Sequence, residues 1–280
     1  MADGATLARR AGATADTAAG SSRAGSADRI VFLGHATVLI EVQGIRLLTD
    51  PLLGGRVAHL RRQVPPVDPS AFAAPDAVLI SHSHHDHLDL PSLRLLGLDT
   101  PLLVPAGTGA WLRRRRFDTV TELSAGEEAN VGALGVTAVP ARHDGRRRPG
   151  GPRGETLGYV VVRGRRAIYF AGDTELFAGM SGMAPRIDVA LLPVGGWGTT
   201  LGPGHMDPLD AARAVCLLQP RVAIPIHWGT LLPIGIARRH RARLGDPPRL
   251  FARHVARLAP SVEVRILEPG QETRLPDDRG

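Results

Sequence analysis

Six consecutive positions, His82-Ser83-His84-His85-Asp86-His87, hold four imidazoles and one carboxylate directly behind the apolar run Ala77-Val78-Leu79-Ile80-Ser81. The run reads as a fully buried strand, so the polar cluster falls where a rigid scaffold hands over to a loop, a common place for an active site. In an extended loop His82 and His84 project to the same side, which suits two ligands on one ion. Asp86 and His87 lie past the turn and can reach a second ion. The alternative, a solvated His-rich surface loop, would require this density to arise by chance behind a Val-Leu-Ile strand.

The pattern His-x-His-x-Asp-His resembles the signature of the metallo-β-lactamase fold superfamily, and the resemblance extends over about residues 29 to 270. It implies an α/β chain folded as a four-layer αββα sandwich. It also implies three further ligands, each after a strand: His143 in Pro140-Ala141-Arg142-His143-Asp144, Asp173 in Phe170-Ala171-Gly172-Asp173-Thr174, and His227 in Ile226-His227-Trp228-Gly229-Thr230. By this resemblance His82, His84 and His143 hold one ion, Asp86, His87 and His227 the other, and Asp173 bridges them. His85 fills a variable position and is expected to bind no metal. Each later residue alone would be a weak signal, whereas the ordered set of seven is specific. Imidazole and carboxylate donors without thiolate suit two divalent ions, Zn²⁺ first, with Mn²⁺ or Fe²⁺ as alternatives. Two such ions can acidify a water between them enough to make it a nucleophile at neutral pH, so no Ser or Cys nucleophile is needed. Asp86 and Asp173 are then expected to be catalytic as well as metal-binding.

Other residues have two readings each. Asp50, in Leu48-Thr49-Asp50-Pro51, resembles a position that supports the metal-binding loop through hydrogen bonds, and it could equally cap a turn ahead of Pro51. His35, in Gly34-His35-Ala36-Thr37, is either site-facing or a structural turn residue. His205 precedes a helix that Asp207 would cap and Pro208 would open; its catalytic reading is a contact with a phosphoryl oxygen. His59, His240 and His254 carry no motif and are expected at the surface.

The elements that must position these residues are short β-like runs punctuated by Gly34 and Gly44: Ile30 to Leu33, Val38 to Val42, Arg46 to Thr49 and Ala77 to Ser81. The second half repeats the rhythm with Gly135 to Pro140, Leu157 to Arg163, Arg166 to Ala171, Asp188 to Pro193, Arg221 to Ile226 and Val262 to Leu267. Helical patterns fall at Gly107 to Arg116, Pro208 to Leu218 and Arg249 to Leu258. The halves share a rhythm without a detectable sequence repeat. One α/β domain over residues 29–280 is the economical assignment.

At 280 residues the chain can build a substantial core. No apolar run approaches the roughly 18 to 20 residues of a membrane span, so a soluble chain is expected. Residues 1–28 are mostly Ala, Gly, Ser, Thr and Arg and read as a disordered tail, without the apolar stretch of a signal peptide. Arg9-Arg10 is similar to a twin-arginine signal, but Asp16 and the small residues that follow make export unexpected, leaving a cytoplasmic location. The single cysteine, Cys216, excludes an internal disulfide and reads as a small buried residue of a helix. Net charge is +7 with 34 cationic residues, all Arg. The clusters Arg113 to Arg116 and Arg146 to Arg148 are either solvated faces or patches that attract phosphate, lipid head groups or RNA.

The segments around His35, Asp50, His205 and His227 resemble the branch that contains N-acylphosphatidylethanolamine-hydrolysing phospholipase D and, more distantly, ascorbate-phosphate lactonase. The expected function is hydrolysis of a small-molecule or lipid-derived phosphodiester, with a lactone or other ester as the alternative. An RNA-processing nuclease is a further rival favoured by the Arg clusters. Against a nucleic-acid partner, aromatic residues are 4% of the chain and no RNA-binding arm is visible. A non-catalytic metal-binding or scaffold role is opposed by the presence of all seven ligand candidates.

Overall fold

The computed structural model describes residues 27–147, 150–184, 186–196, 201–235 and 244–276. Residues 1–26 of the expected tail, Arg148 and His240 lie outside the described residues. Asp28, the last residue of that stretch, accepts the Gln43 N–H at 2.7 Å and pairs with Arg166.

The chain builds the same sheet twice. In the first half, β1 (Arg29–Gly34), β2 (Thr37–Val42) and β3 (Ile45–Thr49) form an antiparallel meander. A small excursion follows through β4 (Arg56–Val57), β5 (Leu60–Arg62) and the helix α1 (Pro69–Phe72). Then β6 (Ala77–Leu79), β7 (Leu102–Pro105) and β8 (Val120–Leu123) add in parallel through α2 (Leu90–Leu96) and α3 (Gly109–Arg113).

In the second half, β9 (Glu128–Val131), β10 (Leu134–Pro140), β11 (Leu157–Arg163) and β12 (Arg166–Phe170) are antiparallel. They are followed in parallel by β13 (Val189–Pro193), β14 (Val222–Ile226) and, past β15 (Leu231–Pro233), by β16 (Glu263–Val264). The helices α4 (Pro208–Leu218) and α5 (Asp246–Leu258) belong to this half. The last strand, β17 (Glu272–Arg274), returns to pair with β1, giving the orders β17-β1-β2-β3-β6-β7-β8 and β16-β14-β13-β12-β11-β10-β9. β15 joins β5 and β4 in a small third sheet.

Strand alternation explains the layers. Ile30, Phe32, Val38, Ile40, Leu47 and Leu79 share one core with Val136, Tyr159, Ile168 and Phe170 of the second sheet. Their neighbours Val31, Leu33, Leu39, Leu48 and Val78 face the other way, onto Leu93, Trp111 and Leu112 of the first half's helices. On the far side α4 and α5 cover the second sheet with Ala211, Val215, Phe251 and Val255. The result is the expected αββα sandwich. β13 and β14 are buried at every position, as strands covered on both faces must be.

Two expectations need correction. Of the run Val262 to Leu267 only Glu263–Val264 is strand. Cys216 is exposed, because Ala211, Ala212, Val215 and Leu218 take the buried stripe of α4 and leave it on the outer face.

Candidate metal centre

β1, β3 and β6 run in one direction within the first sheet, as do β10, β12 and β14 within the second. Their C-terminal ends deliver, in turn, His35, Asp50, the His82–His87 run, His143, Asp173 and His227. This is the edge at which open α/β sheets place their ligands. The loops meet closely: a Cβ on Gly172 would lie 2.5 Å from Ser81 Cβ, and one on Gly145 2.6 Å from His82 Cβ. Gly145 also accepts the Ser83 N–H at 3.2 Å.

The seven expected ligands come together. His82, His84 and His143 form one group whose ligand atoms lie within 4.8 Å of one another, and Asp86, His87 and His227, joined by His35, form another. Asp173 reaches both sides: its carboxylate is 3.2 Å from His87 Nε2 and 3.3 Å from His227 Nε2, and it groups with His143 and His205.

The supporting hydrogen bonds set the tautomers. Asp50 Oδ2 accepts from His87 Nδ1 at 2.7 Å and from Ser81 Oγ at 2.6 Å, while Oδ1 takes the Ser81 N–H at 2.7 Å. Having donated to Asp50, Ser81 Oγ can only accept from His82 Nδ1, 2.9 Å away. The backbone carbonyls of Gly195 and Gly204 accept from Nδ1 of His227 and His143, at 2.8 and 3.0 Å. His82, His143 and His227 are thereby left with a lone pair on Nε2. The Nε2 atoms of His87 and His227 lie 3.3 Å apart, both beside the Asp173 carboxylate. His82 Nε2 is buried with no hydrogen-bond partner, and Asp173 Oδ1 likewise lacks one of acceptable geometry. Buried acceptor atoms without a donor are unfavourable until a cation sits among them, so the donor set fits divalent metal.

Electrostatics agree. Burial pushes His82 well below its ordinary value, His143 down to about 4 and His227 down to about 3, so these imidazoles are neutral and able to ligate. At His87 burial is outweighed by Asp173, Asp86 and Asp50, which raise it well above the usual range. Asp86 and Asp173 stay ionised: burial opposes their charge, but the surrounding imidazoles hold both well below the usual carboxylate range. A pocket with this much buried negative charge calls for positive charge.

His205 stands at the half-exposed side, Nδ1 on the Gly202 carbonyl at 3.0 Å and Nε2 3.5 Å from Asp173 Oδ2. Its hydrogen bond to Asp173 raises it above the ordinary value. Asp207 caps α4 behind it by accepting the N–H groups of Leu209 and Asp210, each at 2.8 Å. His85 and His59 are exposed and His254 is half-buried, none of them in the centre.

Of the two readings of His35 the site-facing one holds, and Arg147 takes part beyond what sequence reasoning assigned. His35 is buried and touches Asp86, for which its place at a turn next to Gly34 was the available signal. Arg147 belongs to a cluster read as solvated or anion-attracting. Instead it is half-buried, donating to the carbonyls of Leu88 at 2.6 Å and Ser83 at 3.4 Å, on both sides of the His84–His87 stretch. Nothing in its sequence context signalled that clamp.

Comparison with known proteins agrees with this geometry. Residues 45–228 match the family described as the β-lactamase superfamily domain. A metal-dependent hydrolase of Methanopyrus kandleri is 35% identical, covering 87% of this chain and 98% of its own. An N-acyl-phosphatidylethanolamine-hydrolyzing phospholipase D of Caenorhabditis elegans is 29% identical, over 73% of this chain and 64% of its own. An uncharacterized protein of Mycobacterium tuberculosis is 38% identical over 74% of this chain, which spans 60% of that relative's length. Among solved structures, the metallo hydrolase Igni18 of Ignicoccus hospitalis superposes with a TM-score of 0.70 at 26% identity, over 90% of this chain and 100% of its own.

Proposed function

This chain belongs to the β-lactamase superfamily, and we propose that it is a metal-dependent hydrolase whose centre holds two divalent ions, Zn²⁺ first among them, and cleaves a small or lipid-derived phosphodiester. The observation that carries the two-ion reading is the position of Asp173 between two separate imidazole groups. Bound there, the ions would supply Lewis acidity, both to activate water and to hold an anionic substrate oxygen.

The chain's own residues have distinct tasks in this reading. Asp50, Ser81, Gly195 and Gly204 fix the imidazole tautomers, and Asp86 and Asp173 supply the carboxylates. His205, on the open side, is placed to hydrogen-bond a phosphoryl oxygen as charge builds on it. Similarity to the nematode phospholipase D, shared over 73% of this chain, favours a phosphodiester.

The test is turnover of bis(p-nitrophenyl) phosphate beside a panel of lactones and carboxylic esters. Diester cleavage lost on chelation and restored by Zn²⁺ or Mn²⁺ supports the reading. Inert diesters with active lactones would replace the phosphodiesterase by a lactonase.

A further inference from the structure

His35 occupies a costly position. Its φ is +56°, in the left-handed region that a side chain with a Cβ adopts only at a cost, and the residue is 2% exposed. Two backbone contacts hold it there: its N–H donates to Thr230 Oγ1 at 2.6 Å, and its carbonyl accepts the His227 N–H at 2.7 Å. A turn alone would be better served by glycine, as at Gly34 before it, where φ is +110°. What the imidazole adds is directed inward. Nε2 lies 3.0 Å from Asp86 Oδ2, and the ring lies 4.0 Å from that of His227. Among the described residues His35 is the only hydrogen-bond donor to Asp86. Because a carboxylate only accepts, Nε2 carries the proton and is not free to bind metal.

The duplicated topology gives the position a second meaning. His35 and Asp50 each lie one residue past the first and third meander strands of their half, β1 and β3, and His143 and Asp173 each lie three residues past the matching strands β10 and β12. In the second half this His and Asp pair joins the ligand set. In the first half its counterparts hold the ligands instead: Asp50 grips His87 and His35 grips Asp86.

We propose that His35 is a positioning residue specific to one metal subsite: its Nε2–H fixes the Asp86 carboxylate, and with it the affinity of the ion shared by Asp86, His87 and His227, without acting on the ion held by His82, His84 and His143. The inference rests on the two-ion reading above.

Zn²⁺ binding to the full chain is measured by competition with a fluorescent chelator, and Co²⁺ absorption reports the two environments separately. Wild type is expected to hold two ions. His35→Ala is expected to weaken one of them about 10- to 100-fold, the range for loss of a supporting hydrogen bond, while the other keeps its affinity. His35→Gln, whose amide can donate to the same oxygen, is expected to recover most of the loss, and adding Asp86→Asn to His35→Ala should cost less than it does in wild type. Unchanged affinity for both ions in His35→Ala, or equal weakening of both, overturns the inference while leaving the two-ion reading intact. A wild-type chain that binds a single ion overturns both. Should His35→Ala fail to fold, His35→Asn takes its place, since Asn tolerates the left-handed backbone but is too short to reach the Asp86 oxygen: unchanged affinity for both ions, or equal weakening of both, overturns the proposal.

Discussion

Asp50 and His87 are joined by a 2.7 Å hydrogen bond from Nδ1 to Oδ2, with neither residue exposed. The same carboxylate orients His82 through Ser81, so one buried group sets a nitrogen in each of the two ligand sets. Asp50→Asn places an amide where three donors converge and cannot accept all of them. Both ions are expected to bind about 10- to 100-fold more weakly, as read by chelator competition.

Ser81→Ala separates the two arms of that arrangement. The Asp50–His87 bond survives, whereas His82 Nδ1 loses its acceptor. Weakening is therefore expected for the ion on the His82 side alone, visible as one altered Co²⁺ band. Equal weakening of both ions would show that the relay through Ser81 is not what orients His82.

His205→Ala is expected to leave both ions bound and to lower kcat on an activated diester by about 100-fold, the scale for losing one donor to a developing anion. Metal content and kcat measured on the same preparation check this. Loss of an ion would make His205 a ligand instead.

How much of this was legible in the sequence depended on whether the residues are contiguous. His82 to His87 announce themselves because six positions behind an apolar strand carry the chemistry alone. His143, Asp173 and His227 lie far along the chain and were found only by resemblance, since spacing cannot say which strand ends share a sheet edge. Pro208 to Leu218 was read to its bounds because Asp207, Pro208 and the apolar stripe all agree. β7, at Leu102–Pro105, was not recognised: its four apolar residues carry no alternation. The phase of α4 that exposes Cys216, and the inward turn of Arg147, are set by tertiary packing that local pattern does not encode.

Tyr159 ties the two sheets beneath the site, its hydroxyl donating to the Ile80 carbonyl at 2.7 Å just before Ser81 and His82. Tyr159→Phe keeps the ring and removes that bond. Stability is expected to fall by about 1 kcal/mol, the usual net value of one buried hydrogen bond, measured by urea unfolding, with two ions still bound.

The most direct measurement is metal content per chain in protein prepared without chelator, for wild type and Asp173→Ala side by side. Close to two divalent ions are expected in wild type, with at least one lost and turnover abolished in the variant, because Asp173 lies between the two imidazole groups. Active wild-type protein with a metal content consistently near zero, or an Asp173→Ala chain that keeps both ions and full activity, would contradict a bridged two-metal hydrolase.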